Sequence, residues 1–329
     1  MKQFLQKIIT TVLIALIVSS ATLLTSSANV TLAAPARKAE PAVTQQQPPQ
    51  RGTLSIIAIL IGLVQREVAI YVPNSYRAGA AVPLVFALHG GGGDASKMYD
   101  PDKRIVEYAE SQGFIAVFPN GLPKPGAPAG SHNYFWDDPS NIEFMNRLID
   151  LMTNNFAIDS RRVYFIGFSG GGKLCYQLAA DPNISARIAA IATVAGDMGH
   201  KRTDPPNSPW EIIDPAASGG VPMSALLLQG GEDKRLPAMG GFEEDFSTIK
   251  ISFQVKVDSW RHFLRFVDIT DGTSNTLFGA PARVESMRYT NPNNGLVVIS
   301  ALDPELPHKW PEWNFMGAIW DFFGHAPTR

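Results

Sequence analysis

The sequence predicts an α/β domain with a mostly parallel central sheet and helices on both faces. Three observations carry this expectation. Short runs recur that are apolar at nearly every position, as strands covered on both faces must be. Between them lie stretches with apolar residues every three or four positions, the period of a one-faced helix. Glycine- and proline-rich turns mark the joins.

The elements follow in order. Residues 54–64 are apolar and β-branched, too short to span a membrane, and read with the segment up to Tyr71-Val72-Pro73 as two early strands. Residues 83–88 form a strand that ends in a glycine run. Residues 114–118 form another, stopped by Pro119-Asn120-Gly121. Residues 141–156 have helical spacing, with Ile142, Met145, Leu148, Ile149 and Met152 on one face. A buried strand is expected at 163–166 and a helix at 171–180, ended by Asp181-Pro182. Further buried strands are expected at 189–194 and 225–228, and the last two at 284–289 and 296–301. An amphipathic helix at 313–323 closes the chain. The Gly/Pro-rich stretch 121–130 reads as a long surface loop near the site. Neither an internal repeat nor a second domain boundary is visible.

The chain has 329 residues, 45% hydrophobic and 18% charged, ample for a buried core. With 28 basic against 30 acidic residues it has no basic excess, so no nucleic-acid partner is expected. Lys2 and Lys7 flank the start of an apolar run at 8–18, and Ala34-Pro35-Ala36 has the form of a cleavage site, with Thr31-Leu32-Ala33 a second candidate. Residues 1–36 are therefore expected to be a signal peptide, 37–52 a Pro/Gln-rich linker, and 53–329 the folded domain. A secreted or periplasmic protein follows, with no stable membrane insertion after cleavage. Cys175 is the sole cysteine, so no disulfide forms within the chain, and its apolar helical setting predicts a buried thiol.

Gly167-Phe168-Ser169-Gly170-Gly171 stands between an expected strand and an expected helix, the context that gives this pattern meaning. A sharp turn there holds Ser169 in a strained conformation, facing a helix N-terminus that favours negative charge. Glycines two before and two after it avoid collision between strand, turn and helix. A serine hydroxyl needs a base to take its proton, and the chain order for this turn is serine, acid, histidine. His200 precedes the candidate acid, His262 lies in a helix-like run, and His325 follows the final helix. His308 stands in a loop, Pro307-His308-Lys309-Trp310-Pro311, just after an apolar strand, and is the expected base.

Asp233, in Leu228-Gln229-Gly230-Gly231-Glu232-Asp233, is the expected acid that fixes the imidazole tautomer. Glu232 is its local competitor; Asp197 and Asp303 are more distant ones. Donors for an oxyanion are expected from the amides of Gly170 and of Gly91, with Gly90 the alternative to the latter. His89 then positions that loop. Trp136 and Trp310 are expected to line the pocket. Gly90-x-Gly92-x-x-Ala95 also fits a loose dinucleotide fingerprint, but that reading accounts for neither the serine turn nor the later Asp and His loops. Neither Gly-Lys-Ser/Thr, His-x-x-x-His nor paired-cysteine spacing occurs, so no cofactor and no metal are expected.

Taken in order, these residues resemble the polyhydroxybutyrate depolymerase, feruloyl esterase and acetylxylan esterase group of secreted α/β-hydrolases. The resemblance runs from about Arg66 to His325. It includes Arg66-x-x-x-x-Tyr71-Val72-Pro73, Leu88-His89-Gly90-Gly91-Gly92 and Asp159-x-Arg161-Arg162-Val163-Tyr164. It also includes the serine turn, Gly230-x-x-Asp233 with Pro237 and Gly240, His308-x-Trp310-Pro311, and Trp320-x-Phe322-Phe323. It implies an α/β-hydrolase fold and a triad at Ser169, Asp233 and His308. It also implies short-chain acyl, hydroxyacyl or aromatic acyl esters as substrates, polymeric ones among them. The chain departs from the group in carrying Gly170 where Asn is usual. It also has Glu305-Leu306-Pro307-His308-Lys309-Trp310-Pro311 where Gly-Gly-Gly-His-Thr-Trp-Pro is usual, and it lacks the disulfides of several members. The expected protein is an exported serine esterase working through an acyl-enzyme. A serine peptidase of the same fold and a non-catalytic binding protein are the rival readings.

Overall fold

The computed structural model describes residues 49–128, 130–202, 210–242, 248–264 and 272–329. The expected signal peptide and the expected linker up to residue 48 lie outside the described residues.

Ten strands form the central sheet. They are β1 (Leu54–Ile61), β2 (Val64–Tyr71), β3 (Val82–Leu88), β4 (Ile115–Pro119), β5 (Ile158–Phe168), β6 (Ala190–Val194), β7 (Ser224–Gly230), β8 (Thr273–Asn275), β9 (Glu285–Thr290) and β10 (Val297–Asp303). Their order across the sheet is β1-β2-β4-β3-β5-β6-β7-β10-β9-β8. The run from β4 to β10 is parallel throughout. The two flanks, β1-β2 and β9-β8, are antiparallel additions. This is the α/β-hydrolase fold, with a mostly parallel sheet as expected.

Residues alternate between the two faces of a strand, and β3 shows the consequence. Leu84, Phe86 and Leu88 pack on one side with Phe144, Met145 and Leu148 of helix α2 (Ser140–Asn155), Leu174 of α3 (Gly170–Ala180) and Trp260 of α4 (Phe253–Phe263). Val85 and Ala87 pack on the other with Ile105 and Ala109 of α1 (Ile105–Gln112) and Ile319, Phe322 and Phe323 of α5 (Phe315–His325). Cys175 is wholly buried within the first of these layers. Among the described residues no helix is long and apolar enough to cross a membrane.

Several details differ from expectation. The closing helix starts at Phe315 and not at Trp313, because the Asn314 side chain accepts from the Gly317 amide at 3.1 Å and caps it. His325 is the last residue of that helix and does not follow it. The loop at 121–130 begins with a two-residue strand, Leu122–Pro123, paired with Tyr134–Phe135. A separate antiparallel sheet, built from Trp210–Ile212, Gly199–Arg202, Thr248–Lys250 and Gly241–Phe242, was not foreseen.

Candidate active site

The site is assembled at the C-terminal ends of β3, β5, β7 and β10, where loops leave the sheet toward one edge. β5 ends at Phe168 and α3 begins at Gly170, so Ser169 alone makes the turn. It pays for that in strain, with φ 50° and ψ −113°, a region that residues with a side chain rarely occupy. Its own N–H donates to Val194 O at 2.9 Å, which helps to hold the turn. A Cβ at Gly171 would run into the carbonyl of Leu88, so β3 and α3 meet this closely only because the position is glycine.

The acid and base loops are tied together by backbone bonds. Gly231 N–H donates to Asp303 O at 2.8 Å and Glu232 N–H to Leu306 O at 3.1 Å. The turn after β7 therefore lies against the turn after β10. His308 Nδ1 is 2.8 Å from Asp233 Oδ2, and His308 Nε2 is 2.8 Å from Ser169 Oγ. With a proton on Nδ1 donated to the carboxylate, Nε2 is left to accept from the serine hydroxyl. The structure thus brings Ser169, His308 and Asp233 into one hydrogen-bonded row. Asp233 is buried, and its Oδ1 accepts from the amides of Arg235 and Leu236 at 2.9 and 2.8 Å. Its competitors have other partners or are turned out. Glu232 is exposed, Asp197 lines the same cavity as Ser169 but pairs with Lys250 at 2.9 Å, and Asp303 is buried against Arg283 and Trp313.

Gly91 and Gly170 both line the cavity that holds Ser169. Among the described residues neither amide N–H has a hydrogen-bond acceptor, so both donors are left available. A Cβ at position 170 would come within 2.9 Å of Gly91 N. Glycine there lets the two amides approach, which gives the departure at Gly170 a local physical reason.

His89 anchors the glycine loop. It is fully buried; its Nε2 accepts from the Gly121 amide at 3.1 Å, which leaves Nδ1–H to donate to Gly90 O at 2.8 Å. Burial pushes its pKa down to about 4. Trp136 Nε1–H donates to His89 O at 2.7 Å, and the two rings lie 4.6 Å apart.

The cavity has a volume of about 260 Å³. Trp136 is on its wall, although nearly buried. Trp310 is not. It packs on Phe315 with ring centroids 5.5 Å apart, and it borders separate hollows beside Lys103 and His308. One of these hollows is also lined by Gly91 and His308, so Trp310 shares a wall with two residues of the site without lining the cavity that holds Ser169. The wall of that cavity also contains residues that sequence reasoning missed. Phe135 comes from the two-residue ribbon and Lys250 from the small antiparallel sheet, while Asp137, Lys173, Arg235 and Leu236 complete it. Lys173 and Asp137 approach to 3.6 Å. Among the described residues no group of three or more His, Cys, Asp or Glu side chains is gathered as a metal ion would require.

No family model matches the chain. It is similar to known esterases over part of its length. It is 31% identical over 134 residues to the bifunctional acetylxylan esterase/xylanase XynS20E of Neocallimastix patriciarum, covering 40% of this chain and 18% of that protein. It is 27% identical over 201 residues to feruloyl esterase B of Piromyces equi, covering 61% of this chain and 35% of that protein. The match thus spans well under half the length of either relative. Among solved structures, acetyl xylan esterase from Aspergillus awamori superposes with a TM-score of 0.53 at 14% identity, over 79% of this chain and 94% of that one. The chain therefore has relatives among the feruloyl and acetylxylan esterases, which are carboxylic ester hydrolases, and a fold in common with a member of that class.

Proposed function

We propose that this chain is an exported serine esterase that hydrolyses carboxylic esters through an acyl-enzyme. The observation that carries the reading is the row Ser169 Oγ, His308 Nε2, His308 Nδ1 and Asp233 Oδ2, joined by two contacts of 2.8 Å. Ser169 Oγ attacks the ester carbonyl carbon while His308 takes the hydroxyl proton. Asp233 keeps the imidazole in the required tautomer and stabilises it once charged. The amides of Gly91 and Gly170 hold the carbonyl oxygen as it becomes negative, a task worth about 3 kcal/mol per donor in comparable sites. Collapse breaks the bond to the alcohol oxygen, which leaves with the proton from His308. Water then attacks the acyl carbon, gives its proton to His308, and the acid leaves as Ser169 recovers its own.

The substrate reading is acetyl, feruloyl or hydroxyacyl esters, polymer-borne ones included. It is supported by the named relatives and by a cavity lined by the aromatic Phe135 and Trp136 and by the charged Asp137, Lys173, Asp197, Arg235 and Lys250. The aromatic rings suit an acyl group and the charged groups a hydroxyl-rich alcohol. Export rests on the basic start and apolar run of the first 36 residues.

The test is hydrolysis of p-nitrophenyl acetate by the purified protein and by Ser169→Ala. The variant is expected to lose at least about 10³-fold in kcat, and a fluorophosphonate should label the wild type alone. Equal rates in the two proteins would end the proposal. Methyl ferulate, acetylated xylan and polyhydroxybutyrate then rank the ester classes.

A further inference from the structure

Helix α4 carries a lysine on the face that packs into the core. Lys256 is 2% exposed, among Val257, Trp260 and Phe263. A buried ammonium is costly unless it is paired and hydrogen-bonded. Burial pushes this one down to about 8; Asp197 and Asp233 oppose that shift and Lys250 adds to it. Its Nζ donates to Gly196 O at 3.0 Å and to Gln229 Oε1 at 3.2 Å. Gln229 is itself buried on β7, and its Nε2 donates to Asp233 Oδ2 at 3.1 Å and to Leu236 O at 2.7 Å.

The direction of these bonds is fixed by chemistry. A lysine ammonium only donates, so Gln229 must turn its oxygen toward Lys256. Its nitrogen then faces the carboxylate of Asp233. The flipped amide would set donor against donor on one side and oxygen against carboxylate on the other. Asp233 thus has two amide donors on Oδ1, and Gln229 and His308 on Oδ2.

We infer that Lys256, acting through Gln229, is a positioning residue for the serine–histidine–aspartate row. It locks the amide that holds Asp233 Oδ2 against His308. The inference rests on the proposed triad. The groups that bear on Lys256 are Asp197 and Asp233, which attract its charge, and Lys250, which repels it.

The test compares wild type, Lys256→Met, Gln229→Leu and the double variant. Lys256→Met leaves Gly196 O and Gln229 Oε1 without this donor, so it is expected to cost stability, and denaturant unfolding checks that each variant is folded under the assay conditions. With p-nitrophenyl acetate, Lys256→Met is expected to lower kcat about 10-fold at unchanged KM. The double variant should be no worse than Gln229→Leu alone, because the lysine acts through the amide. An unchanged kcat in Lys256→Met, or losses that multiply in the double variant, overturn the inference. Lys256→Gln, too short to reach both acceptors of the lysine, should reproduce the loss of kcat and replaces the Met variant if that one unfolds. The low-field proton resonance of His308 Nδ1–H gives a readout without turnover. If the wild type hydrolyses no ester, the proposed function falls, and an unmoved resonance in the lysine variant separately overturns the brace.

Discussion

His89 and His308 stand on either side of the same glycine loop, and their surroundings differ in one respect that matters. Both nitrogens of His89 are taken by backbone groups, Gly90 O and the Gly121 amide, in a site closed to water. Both nitrogens of His308 meet side chains that exchange protons or charge, Asp233 and Ser169, and its side chain is 16% exposed. A second proton on His89 would need Nε2 to stop accepting, which would release Gly121. On His308 it is stabilised by a carboxylate. The same ring is therefore a strut in one place and suited to be a base in the other, and the partners decide which.

The largest way to break this contrast is at His308. His308→Gln should lower kcat for p-nitrophenyl acetate by roughly 10⁴-fold, with KM little changed, if it is the base; stopped-flow or fixed-time assays would show it. His89→Gln should cost less, about 10- to 100-fold in kcat, because it loosens the loop that carries the Gly91 amide and touches no reacting atom. A loss at His89 as large as that at His308 would erase the distinction.

Stability against pH sharpens the contrast further. Above about 6.5 neither folded nor unfolded His89 carries the extra proton. Between about 6.5 and 4 the unfolded chain takes up a proton that the folded one refuses, so stability falls as pH falls. Below about 4 both states are protonated and this contribution is fully lost. The shift from 6.5 to about 4 corresponds to a loss of up to about 3 kcal/mol. Urea unfolding of wild type at pH 7 and pH 4.5 should show part of that fall, and His89→Gln should show less of it. The smallest effect expected is at Trp136. Trp136→Phe removes the N–H that holds His89 O and should cost about 1 kcal/mol of stability, with activity changed a few-fold at most. A large loss of kcat there would mean that the indole does more than pack.

Much of the arrangement was legible because each member of the row leaves a buried strand at a turn. Ser169 follows β5, Asp233 follows β7 and His308 follows β10, and apolar runs ending in Gly or Pro mark all three. Most of the charged residues on the cavity wall were not legible. Lys250 sits on a three-residue strand, too short to show any period, and it reaches the site through pairing with Gly199–Arg202. Phe135 is likewise placed by a ribbon of two residues. Trp310 is divided between two surroundings: its indole packs on Phe315 in the second core layer, and it borders a hollow shared with Gly91 and His308. Lys256 left a trace, since it lies four residues before Trp260 on an apolar helix stripe. What it meets there depends on β7, which no local pattern reveals.

The sulfur content of the chain has a practical side. Cys175 is the one cysteine in 329 residues, it is wholly buried, and burial pushes its thiol far up. The folded protein is thereby silent to thiol reagents. A Ser169→Cys substitution would set a single addressable thiol on the wall of the cavity, so a dye or spin probe attached there would report on that location alone.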